Sequence, residues 1–141
     1  MGIYTRAQVA LFGTLALKSS EVIYFLAFHD SAGEPLNYQC DYRVEGADPS
    51  ARWWSLTAYR DFHLIPNDDG RYSFSSTTTA RGQDGRWTVR LSAKPQAGNW
   101  LPLGDREGRI NLSLRLYNPE PAAIKNLERI ELPRIIREEC R

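Results

Sequence analysis

Histidine, cysteine and methionine are scarce in this chain of 141 residues, at two, two and one. Two histidines far apart in sequence leave little for a facial metal centre, which takes three convergent ligands, usually two His and a carboxylate. The cysteines, Cys40 and Cys140, form no CxxC and have no histidine at metal-ligand spacing, so zinc-ribbon and thioredoxin-type motifs are excluded. Long hydrophobic runs are missing too. The most apolar early stretch, VALFGTLAL at 9–17, is nine residues, against the roughly 20 that a spanning helix needs. No basic segment followed by a small-residue cleavage site is found, so no signal peptide is read in the chain. Charge of one sign is also lacking: 18 basic residues stand against 17 acidic, a net +1. That balance offers no general attraction to nucleic acid or anionic lipid, and no local basic patch replaces it. There is no GxGxxG, no P-loop and no GxSxG elbow.

What is present belongs to a globular domain. Hydrophobic residues make up 42% and aromatics 11%. A chain of this length buries roughly two-thirds of its unfolded surface in one core. One domain over residues 1–141 is expected, without repeats, low-complexity runs or linkers. RAQVALFGTLAL at 6–17 is predicted as a short helix, with Ala7, Leu11 and Leu15 on one face and Val9, Phe12 and Ala16 broadening it. Gly13 weakens that helix by about 1 kcal/mol. EVIYFLAFHD at 21–30 is nearly continuous in apolar, β-branched and aromatic residues, as in a strand buried on both faces or covered by the helix.

The following segments alternate. Tyr42 and Val44 oppose Asp41, Arg43 and Glu45. Trp54, Leu56 and Ala58 oppose Trp53, Ser55, Thr57 and Tyr59. Trp87, Val89 and Leu91 oppose Arg86, Thr88, Arg90 and Ser92, and the leucines at 112, 114 and 116 join Ile110 against Asn111, Ser113, Arg115 and Tyr117. Period-two alternation with one polar face marks half-buried antiparallel strands. Turn signals at NDDG 67–70, GQDG 82–85, DREG 105–108 and NPEP 118–121 divide them. The expectation is a mainly β sandwich or barrel of about seven or eight strands, with the short N-terminal helix and a C-terminal tail. The tail is read as helical over 123–130, until Pro133 stops it. Adjacent strand residues point apart, so Trp54 goes to the core and Trp53 to the other face; the doublet is not a two-ring stacking platform.

Few constellations suggest chemistry. Asp61 and His63 share a face of an extended segment, but nothing in the sequence brings His29 and Asp30 to them, and no metal site is assigned. Asn111-Leu112-Ser113 is a glycosylation sequon by letter, lying inside a strand pattern where an ordinary strand role is the better reading. The acidic residues cluster in turns and read as solvated rather than as a glycosidase pair. Cys40 and Cys140 admit two readings, a disulfide tying the tail to the sheet or two unrelated thiols. What remains is a polar set near strand ends and turns: Tyr59, Asn67, Arg71, Asn99, Trp100, Arg115 and Tyr117. Flat rings and forked donors of this kind suit a sugar, a carboxylate or a peptide backbone. Singly, each also fits a bland role: an ion pair for Arg115, snorkelling for Tyr59 and Tyr117, turn capping for Asn67 and Asn99.

Seven segments together resemble a known family: YTRA at 4–7, YFLAFHDSAGEPL at 24–36, RWWSLTAY at 52–59, LIPNDDGRYSF at 64–74, GRWTV at 85–89, NWLPLG at 99–104 and LSLRLYNP at 112–119. Their order and spacing are similar to the domain of unknown function 1214 over almost the whole chain. The resemblance implies an antiparallel, jelly-roll-like β-sandwich. In some bacterial members the domain follows a second β domain. In others it stands behind an N-terminal membrane anchor and faces the periplasm, and by that comparison Met1-Gly2 looks like a truncation point. The resemblance favours a Cys40–Cys140 disulfide. It carries no catalytic residue.

The resulting expectation is a non-catalytic, periplasmic cell-envelope domain, inner-membrane anchored in full-length form. It would present the seven polar residues to a glycan, a lipid headgroup or an envelope protein, with no cofactor, metal or nucleic acid. The alternatives are a hydrolase or lyase using Tyr59, His63 and Asp61 with Arg71 or Arg115 as anion clamp, and a structural assembly module with Trp53 or Trp100 in an interface.

Overall fold

The alternating segments become strands whose apolar halves meet in one core. A computed structural model describes residues 3–11, 20–119 and 130–141, with side chains described at 3–4, 22–119 and 130–141. The described residues form ten strands: β1 Tyr4–Leu11, β2 Ser20–Ala27, β3 Cys40–Gly46, β4 Ala51–Arg60 and β5 His63–Leu64, then β6 Ser73–Ser75, β7 Trp87–Ser92, β8 Asn99–Pro102, β9 Ile110–Pro119 and β10 Arg134–Cys140. They make two sheets. The larger runs β1-β2-β9-β4-β5, with β6 also pairing β4; the smaller runs β10-β3-β7-β8.

Register explains the core. Phe25, Leu114, Leu56 and Phe74 lie side by side across four strands of the larger sheet. Ile135, Val44 and Val89 do the same in the smaller one. All seven are buried in the same cluster, so each sheet offers a continuous apolar face and the two faces close on one another. Trp54 and Trp87, one from each sheet, stack with centroids 5.0 Å apart. Gly46 keeps that stack possible, because a Cβ there would come 2.9 Å from Trp87 Cζ2. The Trp54 indole donates to Asp48 Oδ1 at 3.1 Å, satisfying the polar atom of the largest buried side chain. Trp54 is 1% exposed and Trp53 36%, as the alternation requires.

Two expectations need correction. The segment predicted as the start of a helix is strand β1, paired with β2 along its full length from Tyr4↔Ala27 to Leu11↔Ser20. An eight-residue ladder outweighs a weak helical stripe, since propensity is a small term beside hydrogen bonds to a preformed strand. Residues 12–17 of that predicted helix lie outside the described residues. The all-antiparallel, jelly-roll-like expectation gives way to two stacked sheets containing a parallel pair, β7 and β8, in register from Val89↔Asn99 to Ser92↔Pro102. The return between them fits in residues 93–98, where Pro95 interrupts the strand and Gly98 takes φ 76°.

The tail is also more ordered than expected. Residues 123–129 of the predicted C-terminal helix lie outside the described residues, but beyond Pro133 the chain forms edge strand β10 on β3. Cys40 and Cys140 are opposite each other and disulfide-bonded, with S–S 2.02 Å and a sequence separation of 100. At the other end of the molecule Tyr4 donates from its buried hydroxyl to the Pro133 carbonyl at 2.7 Å, tying β1 to the approach of β10. Burial pushes the Tyr4 phenol well above its ordinary pKa, which keeps that donor protonated.

Candidate functional site

The polar half of β9 meets matching positions on its neighbours. Register places Tyr24 and Ser55 on either side of Arg115, Val22 and Trp53 on either side of Tyr117, and Leu26 and Thr57 beside Ser113. Tyr59 lies opposite Asn111. These residues occupy the face of the larger sheet that points away from the core. Three of the seven residues singled out from sequence, Tyr59, Arg115 and Tyr117, therefore share one surface.

Their contacts are specific. Arg115 Nη2 donates to the Tyr59 hydroxyl at 2.8 Å, and the guanidinium carbon lies 5.1 Å from the centroid of the Tyr24 ring. Trp53 packs edge-on to Tyr117 with centroids 5.0 Å apart. No acidic partner for Arg115 occurs among the described residues, and its Nε is buried with no hydrogen-bond partner. Burial works to lower the Arg115 pKa, but interaction with the Tyr117 hydroxyl and with Tyr59 and Tyr24 outweighs it and leaves the value raised. The group is a fixed cation held by neutral aromatic donors and acceptors.

The other four residues lie elsewhere, and most are already engaged. Asn67 braces its own turn: Oδ1 accepts from Arg71 N at 3.0 Å, and Nδ2 donates to Ile65 O at 3.1 Å and Arg71 O at 2.9 Å. Asn99 pins the 76–80 loop to β8, accepting from Ala80 N at 3.0 Å and donating to Ala80 O and Thr88 O at 2.8 and 3.0 Å. The Trp100 indole donates to Ser92 O at 3.0 Å and closes the turn between β7 and β8. Arg71 is exposed above Phe74, 5.3 Å from its centroid. Arg71 and Asn99 line an open cleft of about 660 Å³ with Asp69, Tyr72 and Ser73. Asn67 and Trp100 line a separate hollow of about 350 Å³. The seven residues do not converge, and the bland turn-capping role holds for Asn67 and Asn99.

The acid–base constellation does not assemble. Tyr59 is committed to Arg115. His63 Nδ1 is 2.8 Å from the backbone oxygen of Asp61, while the Asp61 carboxylate accepts from Arg109 N at 3.0 Å. Both side chains thus brace the β4–β5 hairpin, whose two turn residues, Asp61 and Phe62, take φ 50° and 63°. Asp30, beside exposed His29, is buried and organises its loop by accepting from Ala32 N and Glu34 N. Among the described residues no group of three His, Cys, Asp or Glu side chains is placed to hold a metal.

Sequence reasoning left Tyr24, Trp53 and Asn111 out of the candidate set, although alternation already put Trp53 on a face with Tyr59 and Asn111 on a face with Arg115 and Tyr117. Trp53 was placed outward, but its contact with Tyr117 depends on β4–β9 register. Tyr24 sits in a nearly all-apolar strand whose phase gives no sign of it. Asn111 is 2% exposed, and its Oδ1 has no partner. The alternation at 110–117 was the one signal that pointed to it.

The family profile described as "Protein of unknown function (DUF1214)" matches residues 21–121. No curated protein matches the chain. Among solved structures, the VPA0106 protein from Vibrio parahaemolyticus is similar at 26% identity with a TM-score of 0.73, over 84% of this chain and 31% of that one. An uncharacterised protein from Burkholderia cenocepacia is similar at 17% identity and a TM-score of 0.49, over 100% of this chain and 36% of that one. The second likeness is too remote to carry a structural argument. The chain spans about a third of the length of these solved proteins.

Proposed function

The chain belongs to the DUF1214 family, and on that premise we propose that it is a non-catalytic binding domain of the bacterial cell envelope, holding a glycan on the outer face of its larger sheet. One observation carries the reading: the Arg115 guanidinium is ringed by Tyr24, Tyr59 and Tyr117, has no acidic partner among the described residues, and keeps Nε unbonded. Aromatic rings beside a guanidinium with no carboxylate partner among the described residues are suited to a flat, hydroxyl-rich ligand. Trp53 supplies a partly exposed indole at the edge of the same patch. The engaged side chains of Asn67, Asn99 and Trp100 count against a site at those residues, and the bracing roles of Asp61 and His63 count against hydrolase or lyase chemistry.

The compartment follows the same reasoning. A disulfide between Cys40 and Cys140 is compatible with an oxidising location, for which the periplasm is proposed. Among the described residues no helix is long and apolar enough to cross a membrane. Attachment to the inner membrane by an N-terminal anchor is part of the proposal.

The test is an amide NMR titration of the ¹⁵N-labelled protein with short neutral and acidic oligosaccharides. Shifts are expected at residues 53–59 and 111–117, and Trp53→Ala should weaken binding by about tenfold, the loss of one stacking contact. Shifts confined to 69–74 and 97–99 would move the site to the cleft beside Arg71. No shift with any sugar would remove the glycan reading.

A further inference from the structure

The tip of the β4–β5 hairpin combines two features that oppose folding. Its turn residues, Asp61 and Phe62, both take positive φ, in a two-residue loop between the paired Arg60 and His63. Asn-Gly is the usual filling of such a turn, and a bulky phenylalanine there is strained. Phe62 is also 63% exposed, and Leu64, two residues on, is 49% exposed. We propose that this tip is a membrane-contact element, which seats Phe62 and Leu64 in the surface of a phospholipid bilayer. The proposal rests on the envelope location and N-terminal attachment proposed above and is independent of the glycan reading.

The strained turn is braced from behind. Asp61 N donates to Arg109 O at 2.9 Å, and Asp61 Oδ1 accepts from Arg109 N at 3.0 Å. Gly108 lets that loop close in, because a Cβ there would press on Arg60 and come 2.7 Å from Asp61 Oδ2. Phe28 packs edge-on to Phe62 with centroids 5.9 Å apart, and the Arg109 guanidinium carbon lies 4.2 Å from the Phe28 centroid. Phe62 is therefore held outward by fixed neighbours, and little freedom is lost when it meets a partner.

Size and surroundings select the partner. Two exposed apolar side chains on a protruding turn fall far short of the roughly 20–30 residues a side of a stable protein interface. A fluid surface accepts such a tip without a matching pocket. The flanks suit the headgroup layer, since Arg60, Arg106 and Arg109 carry charged ends on long apolar stems. Asp61, Asp105 and Glu107 balance them in charge, so contact should depend on the apolar pair rather than on anionic lipid. Chain direction agrees. Tyr4 pairs with Ala27, the residue before Phe28, while Ala27 pairs with Leu112 and Arg60 with Ile110. The segment leading into β1 thus enters at the end of the larger sheet that carries the tip, and an N-terminal anchor would hold that end toward the bilayer.

Flotation of the whole chain with phosphatidylcholine vesicles tests this, beside the Phe62→Gly, Leu64→Ser double variant. The parent should partition weakly and reversibly onto the vesicles. The double variant should partition at least about tenfold less, the loss of two inserted apolar side chains. Adding phosphatidylglycerol should change parent binding by less than about twofold, as the balanced charge at the tip requires. Phe62→Gly alone suits the positive φ of the turn and should melt close to the parent. A parent that stays off the vesicles, partition that survives the double variant, or a Phe62→Gly chain that melts far below the parent would overturn the proposal. A parent dimer in sedimentation that the double variant abolishes would overturn it in favour of a second copy of the chain. The sugar titration is read separately, so failure on vesicles leaves the glycan reading standing and a failed titration leaves the tip proposal standing.

Discussion

The two outer faces of the sandwich obey different rules. On the smaller sheet charges are paired across strands. Arg43 and Arg90 lie directly opposite each other, an arrangement that destabilises unless something intervenes. Glu138 of β10 intervenes, bonding Arg43 at 3.1 Å and Arg90 at 2.9 Å. Arg43 also holds Glu45 at 2.8 Å, and the C-terminal Arg141 holds Asp41 at 2.9 Å. The hydrogen bond that Arg43 donates to Glu45, together with the charges of Glu45 and Glu138, holds the Arg43 pKa above its ordinary value. This is a face finished by its own residues. Over residues 22–26, 53–59 and 111–117 the larger sheet carries one cation, no acid, two unbonded polar atoms and a cluster of tyrosines. Stability alone explains the first face and not the second, which is why function is sought on the second.

Four perturbations would break or sharpen that contrast. The largest acts on the compensated side. Replacing both Cys40 and Cys140 by Ser releases a loop of about 100 residues and should cost about 4–5 kcal/mol in the chain-entropy account, read as a lower denaturation midpoint. Sugar binding at Arg115 should survive where the protein is folded, because β10 and β9 lie in different sheets. Next is Gly46→Ala, expected to cost about 1–3 kcal/mol by overpacking, since the new methyl would press on Trp87 and disturb its stack with Trp54. A variant as stable as the parent would show that the inter-sheet stack yields easily.

The third change separates the faces by sign. Arg115→Met should leave stability unchanged or raise it by up to about 1 kcal/mol, because an incompletely bonded guanidinium gives way to an apolar side chain of similar length. A clear loss of stability would mean that Arg115 is a structural residue and would weaken the site. The smallest effect belongs to Glu138→Gln, which leaves Arg43 and Arg90 facing each other. It should lower the melting temperature slightly in dilute buffer, with the difference fading near 1 M salt, where charges are screened within about 3 Å. Salt-independent destabilisation would show that Glu138 acts through packing instead.

Much of the fold was legible because the strands are half-buried. Ile110, Leu112, Leu114 and Leu116 alternate with polar partners and all are buried; the same holds for Trp54, Leu56 and Ala58, which decided the fate of the tryptophan doublet. The outer polar residues at 55, 57, 111 and 113 were assigned to the right face but taken as open, and they are buried. The N-terminal segment failed for a different reason. A short run such as AQVAL supports helix or strand, and the choice fell to β2, which offered it an unpaired edge. The site was half legible: Tyr59, Arg115 and Tyr117 were named, yet so were Asn67, Arg71, Asn99 and Trp100, which a list of polar residues near turns cannot tell apart from them.

Alternation along the chain was enough to fix which side of each strand faces the core, because neighbouring side chains on an extended backbone must point apart. It could not say which strands are neighbours. Bringing Tyr24, Arg115 and Ser55 into one row, and leaving Arg115 without an acid among the described residues while Arg43 received two, depended on hydrogen-bonded register between segments up to about ninety residues apart. That register is set by how two apolar faces fill a shared interior, a property of the assembled sheets and of no single stretch within them.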